Sequence, residues 1–504
     1  MGNEIAATRA CDYDVPLGGA MEVDEFETQE PAIVAVVLAA GRGTRMKSDR
    51  VKVLHPVLGR TMVAWPVEAA LEAGASRVAV VVGPDGQPVR DALGVELPGR
   101  RLEFCVQAAP LGTGDAVRSA KDAIGHAREV LILCGDTPAL DAGTLRGLLA
   151  AHGESGAALT VLTFRLSDPT GYGRIVRGEA GGVARIVEHR DASESERAID
   201  EVNAGIYVVR RDVLLDTIDR IGSDNAQGEV YLTDVVELAA AGGHAVQAHL
   251  LDQPWRVSGI NTRAQLAELE EAMLADRRQR LMESGVTLQT PQSIRIEGPV
   301  EVGRDTVIGP GVQLLGGTRI GDNVRIDAGC VLRDVVISDG AHLLPYVVAE
   351  DTHIGAGATA GPFTHLRPGT VLGAHAKAGN FVELKKAVIG DGSKVNHLSY
   401  LGDCSLGHRV NVGAGTITCN YDGTNKHRTI IEDEVFIGSD TQLVAPVRLG
   451  RRSTVAAGTT VTRDVPEGAL VLSRVAQTVH EHYDERHRKP REDAARDKRR
   501  SDKA

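Results

Sequence analysis

Two hydrophobic rhythms divide the chain. In the first half, short continuous apolar runs at Ile33–Leu38, Arg77–Val82, 130–133 and 158–164 alternate with helical stretches such as 62–73 and 139–151. Runs of this length read as buried strands, and their alternation with helices predicts a mainly parallel sheet covered on both faces. In the second half an aliphatic residue returns every sixth position, often beside a glycine. The runs are Val302, Ile308, Leu314, Ile320, Ile326, Leu332; then Ile354, Ala360, Leu366, Leu372, Ala378; then Ile437, Leu443, Leu449, Val455, Val461. A period of six suits neither an α-helix nor an alternating strand. It predicts a left-handed parallel β-helix, in which three short strands make one triangular coil and inward side chains stack from coil to coil.

The expected organisation follows from these rhythms. Residues 1–30 are acidic and aperiodic and read as a disordered extension. Residues 31–262 form a Rossmann-like α/β domain, 263–285 a linker helix ending at Ser284-Gly285, and 286–478 the β-helix. Residues 479–504 read as a charged disordered tail. At 504 residues the chain has room for two to four domains. Its net charge of −12 argues against a nucleic-acid-binding body, and its 3% aromatics suit thin coils filled by small aliphatics. Six cysteines without a CxxC pair point to free thiols in a reducing cytosol rather than to a metal site. No apolar run is long enough for a membrane span, and no signal-peptide stretch precedes the first strand. The expectation is a cytoplasmic protein without nucleic-acid or membrane partners.

The first strand ends in Leu38-Ala39-Ala40-Gly41-Arg42-Gly43-Thr44-Arg45-Met46. Glycines let backbone amides approach phosphate, and a following basic side chain neutralises it. The loop is neither the dinucleotide fingerprint, since Met46 stands where a third glycine belongs, nor a Walker loop. On the glycines alone a structural turn is an equally good reading. Arg45, and Lys52 in KVLHP, favour phosphate.

At this point the chain resembles the sugar-nucleotide pyrophosphorylases, whose signature is this loop with its trailing lysine. Further elements follow in order: Gln107 with LGTG, CGDTP, GYGR, VEH, VNAGIY and GINTR. The resemblance implies that Leu38, Ala39, Ala40, Gly41, Gln107, Gly112 and Thr113 hold the uridine of UTP. It implies that Gly173, Glu188 and Asn203 grip N-acetylglucosamine, and that Asp136 and Asn261 hold Mg2+. The chemistry asks for such residues independently. A sugar phosphate attacking the α-phosphorus of UTP brings two anions together, so the catalyst is mainly a positive clamp and a positioning device. Asp136 taken alone could instead cap the helix that follows Pro138.

The β-helix repeat cannot decide function by itself, but its interruptions can. Between Ile354 and Ile437 lie THLRPG, NFVELKK, HLSYLGD and NVGAGTITCNYDGTNKH, and the last breaks the six-residue register, as a projecting loop around residues 420–427 would. These strings resemble the family that joins glucosamine-1-phosphate N-acetyltransferase to N-acetylglucosamine-1-phosphate uridylyltransferase, over roughly residues 32–478. The resemblance implies that His397 is the general base and that Arg367, Lys385, Tyr400 and Asn411 bind glucosamine-1-phosphate. It implies that Ala414, Asn420, Tyr421, Ser439, Ala457 and Arg474 line the acetyl-CoA path, with Lys426 a further phosphate contact. It also implies a homotrimer with sites built between neighbours. The chemistry again fits: a glucosamine amine must lose a proton before attacking a thioester, and a histidine titrating near neutrality can take it. His342, His353, His365, His375, His408 and His427 are assigned no role. The alternatives are a sugar-1-phosphate nucleotidyltransferase with a non-catalytic, oligomerising β-helix, and a scaffold without enzymatic activity.

Overall fold

The computed structural model describes residues 32–41, 43–179 and 181–501, so the expected N-terminal extension lies outside the described residues. The chain forms two compact units. One comprises residues 32–41, 66–135 and 140–254; the other comprises 43–65, 136–139 and 255–501.

The first unit is built on a nine-stranded sheet. Its strands are β1 (Ile33–Leu38), β2 (Arg77–Val82), β3 (Leu102–Val106), β4 (Glu129–Cys134), β5 (Leu159–Arg165), β6 (Arg174–Arg177), β7 (Val183–Val187), β8 (Glu201–Arg210) and β9 (Val246–Leu250). They run in the order β9-β5-β8-β4-β1-β2-β3, with the β6–β7 hairpin attached through β8. Val34, Ala35, Val36 and Val37 of β1 are fully buried, as a strand flanked by parallel neighbours requires. The sheet is less uniformly parallel than its sequence rhythm predicts: β8 runs antiparallel to both β4 and β5. The reason is its connection. Between β5 and β8 the chain forms the β6–β7 hairpin and a four-residue helix, Glu194–Arg197, in place of the long crossover helix that usually joins parallel neighbours.

The second unit is dominated by a solenoid of parallel strands on two long sheets of 11 and 17 strands. The inward stack follows the six-residue rhythm: Ile308 pairs with Ile326, Leu314 with Leu332, Ala360 with Ala378, Ile437 with Val455 and Leu443 with Val461. All ten are buried. The glycine beside the aliphatic residue has a structural cause. At Gly303, Gly321, Gly373 and Gly407 a Cβ would collide with a carboxylate from the next coil, that of Asp322, Asp339, Asp391 and Asp433 respectively. Each carboxylate accepts a hydrogen bond, at 2.7–2.8 Å, from the amide of the residue after the glycine. Successive coils are therefore locked by a Gly–Asp pair as well as by the apolar stack. The register breaks in two ways: some coils are one residue short, as the pairs Ile320–Ile337 and Ala378–Val395 show, and Leu406 pairs with Ile431 and Val412 with Ile437, so one coil carries an inserted loop.

The linker helix spans Arg263–Glu283 and starts at a capping box made by Thr262 and Gln265. It buries Leu269, Met273 and Leu274 in the same core as the first solenoid coils. Met46, Val57, Leu58, Met62 and Ile260 join that core, which is why residues 43–65 belong to this unit. The charged tail, expected to be disordered, is helical over Lys489–Ser501. Side-chain pairs one turn apart support its start, such as Arg488–Glu492 at 3.0 Å, and it buries no residue. Among the described residues no helix is long and apolar enough to cross a membrane.

Candidate active sites

The phosphate loop leaves β1 with Leu38 O accepting from Gly135 N at 2.9 Å and Ala39 N donating to Val81 O at 2.8 Å. Gln107 is buried at the end of β3, and its Nε2 donates to Gly112 O (3.0 Å) and to Asp115 Oδ2 (2.9 Å). Gly112 has φ 122°, and a Cβ there would strike the backbone of Val230. Only glycine permits that approach, which lets Val230 N donate to Leu111 O and Leu232 N donate to Thr113 Oγ1 (3.1 Å). Gln107, Gly112 and Thr113 thus form one fixed rim.

Gly173, Glu188 and Asn203 also come together. A Cβ on Gly173 would lie 3.5 Å from Glu188 Oε1 and 3.7 Å from Asn203 Cβ, and Asn203 N donates to Gly173 O at 2.9 Å. A register shift in β8 between Asn203 and Tyr207 re-aims the asparagine. Its Nδ2 donates to the Tyr207 hydroxyl (2.7 Å), and its Oδ1 accepts from Gly205 N (2.8 Å). Desolvation pushes the Glu188 carboxyl above its ordinary range, opposed by a hydrogen bond from Thr233.

In the second unit the four expected charge-handling residues converge. Lys52 Nζ lies 2.5 Å from Asp136 Oδ2 and 3.2 Å from Asn261 Oδ1, and Arg45 Nη2 donates to the same Asn261 oxygen at 2.8 Å. Gly43, at φ 68°, makes room: a Cβ there would overlap the Lys52 stem. Asn261 sits just before the linker helix, its amide bonded to Gln265 Oε1 (2.9 Å). Asp136 does not cap the following helix; Asp141 does, accepting from Thr144 N at 2.8 Å.

On the solenoid, His397 Nδ1 lies 2.7 Å from Asn380 Oδ1. An amide oxygen can only accept, so Nδ1 carries the hydrogen and Nε2 keeps its lone pair. Asn380 stands directly opposite His397 on the preceding coil. Going down the coils, Gly415 N donates to His397 O, Asp440 N to Ala414 O (2.7 Å), Gly458 N to Ser439 O (2.8 Å), and Arg474 Nη2 to Ala457 O (3.1 Å). His397, Ala414, Ser439, Ala457 and Arg474 therefore form one vertical column. Asn380, at its head, is a residue that sequence reasoning missed; its signal was its place one coil before the histidine.

Arg367, Lys385 and Tyr400 lie on the 17-stranded sheet, where Arg367 Nη1 donates to Glu383 Oε1 at 2.8 Å. Lys426 from the inserted loop stands beside Lys385 and holds its ammonium below the usual lysine range. Two lysines crowded together form a site for an anion. The loop is closed by its own side chains. Asp422 Oδ1 accepts from Thr424 N and Asn425 N, and Asp422 Oδ2 meets His427 Nε2 at 2.6 Å. His427 therefore clasps this loop. Asn420 is buried and donates to Asp403, whereas the exposed Tyr421 bonds its own loop at Gly423 O. Asn411 is not brought to Arg367, Lys385 and Tyr400: its strand lies on the other long sheet, paired with Lys394 and Phe436.

The chain is similar to known proteins along nearly its whole described length. Residues 35–224 match the MobA-like NTP transferase domain, 299–334 the six-repeat bacterial transferase hexapeptide, and 428–463 the hexapeptide repeat of succinyl-transferase. The bifunctional protein GlmU of Geobacter metallireducens is 50% identical over 464 residues, covering 88% of this chain and 97% of that one. GlmU of Sorangium cellulosum is 51% identical over 473 residues, with 93% and 99% covered. GlmU of an Exiguobacterium species is 48% identical over 453 residues, with 90% and 99% covered. With about half of all positions shared along nearly the whole of each relative, the chain belongs to the bifunctional GlmU family.

Proposed function

We propose that the two activities of this bifunctional transferase, acetylation of glucosamine-1-phosphate and uridylyl transfer from UTP to N-acetylglucosamine-1-phosphate, use two separate residue sets in a cytoplasmic enzyme. For uridylyl transfer, Leu38 to Gly41, Gln107, Gly112 and Thr113 hold uridine, while Gly173, Glu188 and Asn203 hold the sugar. Arg45 and Lys52 neutralise the phosphates of two anionic reactants and align the attacking oxygen. Asp136 and Asn261 fit Mg2+, because a carboxylate and an amide oxygen already face one cation, the Lys52 ammonium. Bound magnesium would add charge neutralisation on the phosphates.

For acetyl transfer, His397 Nε2 takes the proton from the attacking amine while Asn380 holds the ring through Nδ1. Arg367, Lys385 and Lys426 hold the sugar phosphate, with Tyr400 and Asn411 as further contacts. Acetyl-CoA lies along the column Ala414, Ser439, Ala457, Arg474, flanked by Asn420 and Tyr421. The observation that carries this reading is that column, with an oriented histidine at its head. A non-catalytic β-helix has no need of it.

The active assembly is a homotrimer. Tyr346, Phe363 and Phe381 stack at 5.2–5.4 Å along one solenoid corner, half exposed, and Leu398 beside His397 continues the stripe. Their faces are spent on one another, so their edges remain for an apolar partner such as a second copy. Asn411, on a different sheet from Arg367 and Lys385, supports a site shared between copies.

The test is one product analysis by mass spectrometry with glucosamine-1-phosphate, acetyl-CoA, UTP and magnesium. UDP-N-acetylglucosamine is the expected product. Unchanged glucosamine-1-phosphate, together with uridylyl transfer to added N-acetylglucosamine-1-phosphate, would leave the β-helix non-catalytic.

A further inference from the structure

Arg174 is the largest fully buried side chain among the described residues, at 1% exposure, and nothing assigned above uses it. It lies on β6, directly between Val202 of β8 and Val187 of β7. Those two residues immediately precede Asn203 and Glu188. The guanidinium reaches three separate segments: Nη1 donates to Tyr172 O, and Nη2 to His189 Nδ1 (3.3 Å) and to Arg197 O (3.5 Å). No carboxylate pairs with it among the described residues, so a full positive charge is buried against carbonyl and imidazole acceptors alone. Burying an unpaired cation is costly, and a neutral residue would hold two strands together more cheaply. The charge therefore needs a reason beyond packing. The carboxylates whose fields reach it are those of Asp168 and Glu188.

We propose that Arg174 is the positioning residue for sugar recognition: lying between the strands that lead into Asn203 and Glu188 and bonded to His189 and Arg197 O, its guanidinium fixes Glu188 and Asn203 against the bare face of Gly173. This inference rests on the reading that Glu188 and Asn203 grip the sugar. The surroundings of Glu188 otherwise oppose its charge. Asp191 and Asp234 repel it, Tyr207 and Tyr231 lie within reach of its field, and the half-buried site desolvates it; Thr233 and Arg174 act the other way. His189 accepts from Arg174 through Nδ1, which ties the residue after Glu188 to the guanidinium.

The test uses the full-length enzyme, with steady-state uridylyl transfer measured over a pH series. Arg174→Gln removes the charge and Arg174→Lys keeps it without the forked geometry. Arg174→Gln should raise KM for N-acetylglucosamine-1-phosphate on the order of ten-fold or more, short of the hundred-fold of a gross misplacement. KM for UTP should stay within about two-fold. Losing the cation raises the carboxyl's proton affinity, so the acid limb of kcat/KM should move to higher pH. Arg174→Lys should raise the same KM but leave the limb in place, and it also serves if the glutamine variant fails to fold. Acetyl transfer is the control for an intact chain. If both variants raise the two KM values equally, Arg174 is structural and the inference is overturned. Glu188→Gln and Asn203→Ala separate the underlying reading: if neither changes the sugar-phosphate KM, the sugar site itself is misassigned.

Discussion

The two proposed sites handle positive charge in opposite ways. At the uridylyl site Lys52 is neutralised at 2.5 Å by Asp136, and Arg45 and Lys52 share the Asn261 oxygen, so one of the two cations is balanced within this set and the charge of Arg45 is left for a ligand. At the acetyl site Lys385 and Lys426 crowd together and repel. The first arrangement is preassembled, with a carboxylate and an amide oxygen already facing one cation. In the second, an anionic substrate would meet two neighbouring ammonium groups. The proposed base is arranged differently again: His397 is held by a neutral amide, which orients its ring without adding charge beside it.

This contrast can be broken by substitution. His397→Ala should lower acetyl transfer, followed as CoA thiol release, by ~10²- to 10⁴-fold, with uridylyl transfer unchanged. An equal loss of both would mean that the residue sets are not separate. Asp136→Asn should lower pyrophosphate release by ~10²- to 10³-fold while acetylation continues, because it removes the charge that balances Lys52 and fits magnesium. Asn380→Ala should lower kcat of acetyl transfer by about ten- to a hundred-fold with little change in KM for acetyl-CoA, as for other partners that orient a functional histidine. A change in KM alone would move Asn380 from orienting the base to binding substrate. Lys426→Met gives the smallest effect, a rise in KM for glucosamine-1-phosphate of about five-fold, near the upper end for an exposed charge contact. It also carries a sign. Lys385 loses its proton at lower pH than an ordinary lysine, so phosphate affinity falls early as pH rises; removing Lys426 should shift that alkaline limb upward. A limb that stays in place would show that the two lysines do not interact.

What could be read from sequence was what is local or periodic. β1 and β2, the full span of the linker helix and the three six-residue runs all emerge with their observed bounds or burial, since each depends on near neighbours. The antiparallel β8 was hidden because direction is set by how a strand is reached, not by its own residues. Asn380 was hidden because its partner lies one coil away, a distance that becomes contact only once the coil closes. The packing of Met46, Val57, Leu58 and Met62 into the solenoid core has no rhythm to betray it. The tail helix escaped for another reason: its stabilising pairs are charge pairs on a segment that buries nothing, and a mixed-charge composition is shared with unstructured chains.

The Gly–Asp lock between coils has a consequence for how this solenoid can change. Adding a methyl at Gly321 collides with Asp339, while cutting Asp339 to alanine strands the Asp322 amide. Each single change is harmful, and the pair together lifts only the collision with the carboxylate, since the added carbon still lies 2.9 Å from the backbone nitrogen of Asp339. The two positions should therefore be non-additive in a double-mutant cycle although they lie on different coils. Drift along the solenoid is then constrained in linked steps, and a coil is gained or lost most easily as a whole, with its glycine and its aspartate moving as one unit.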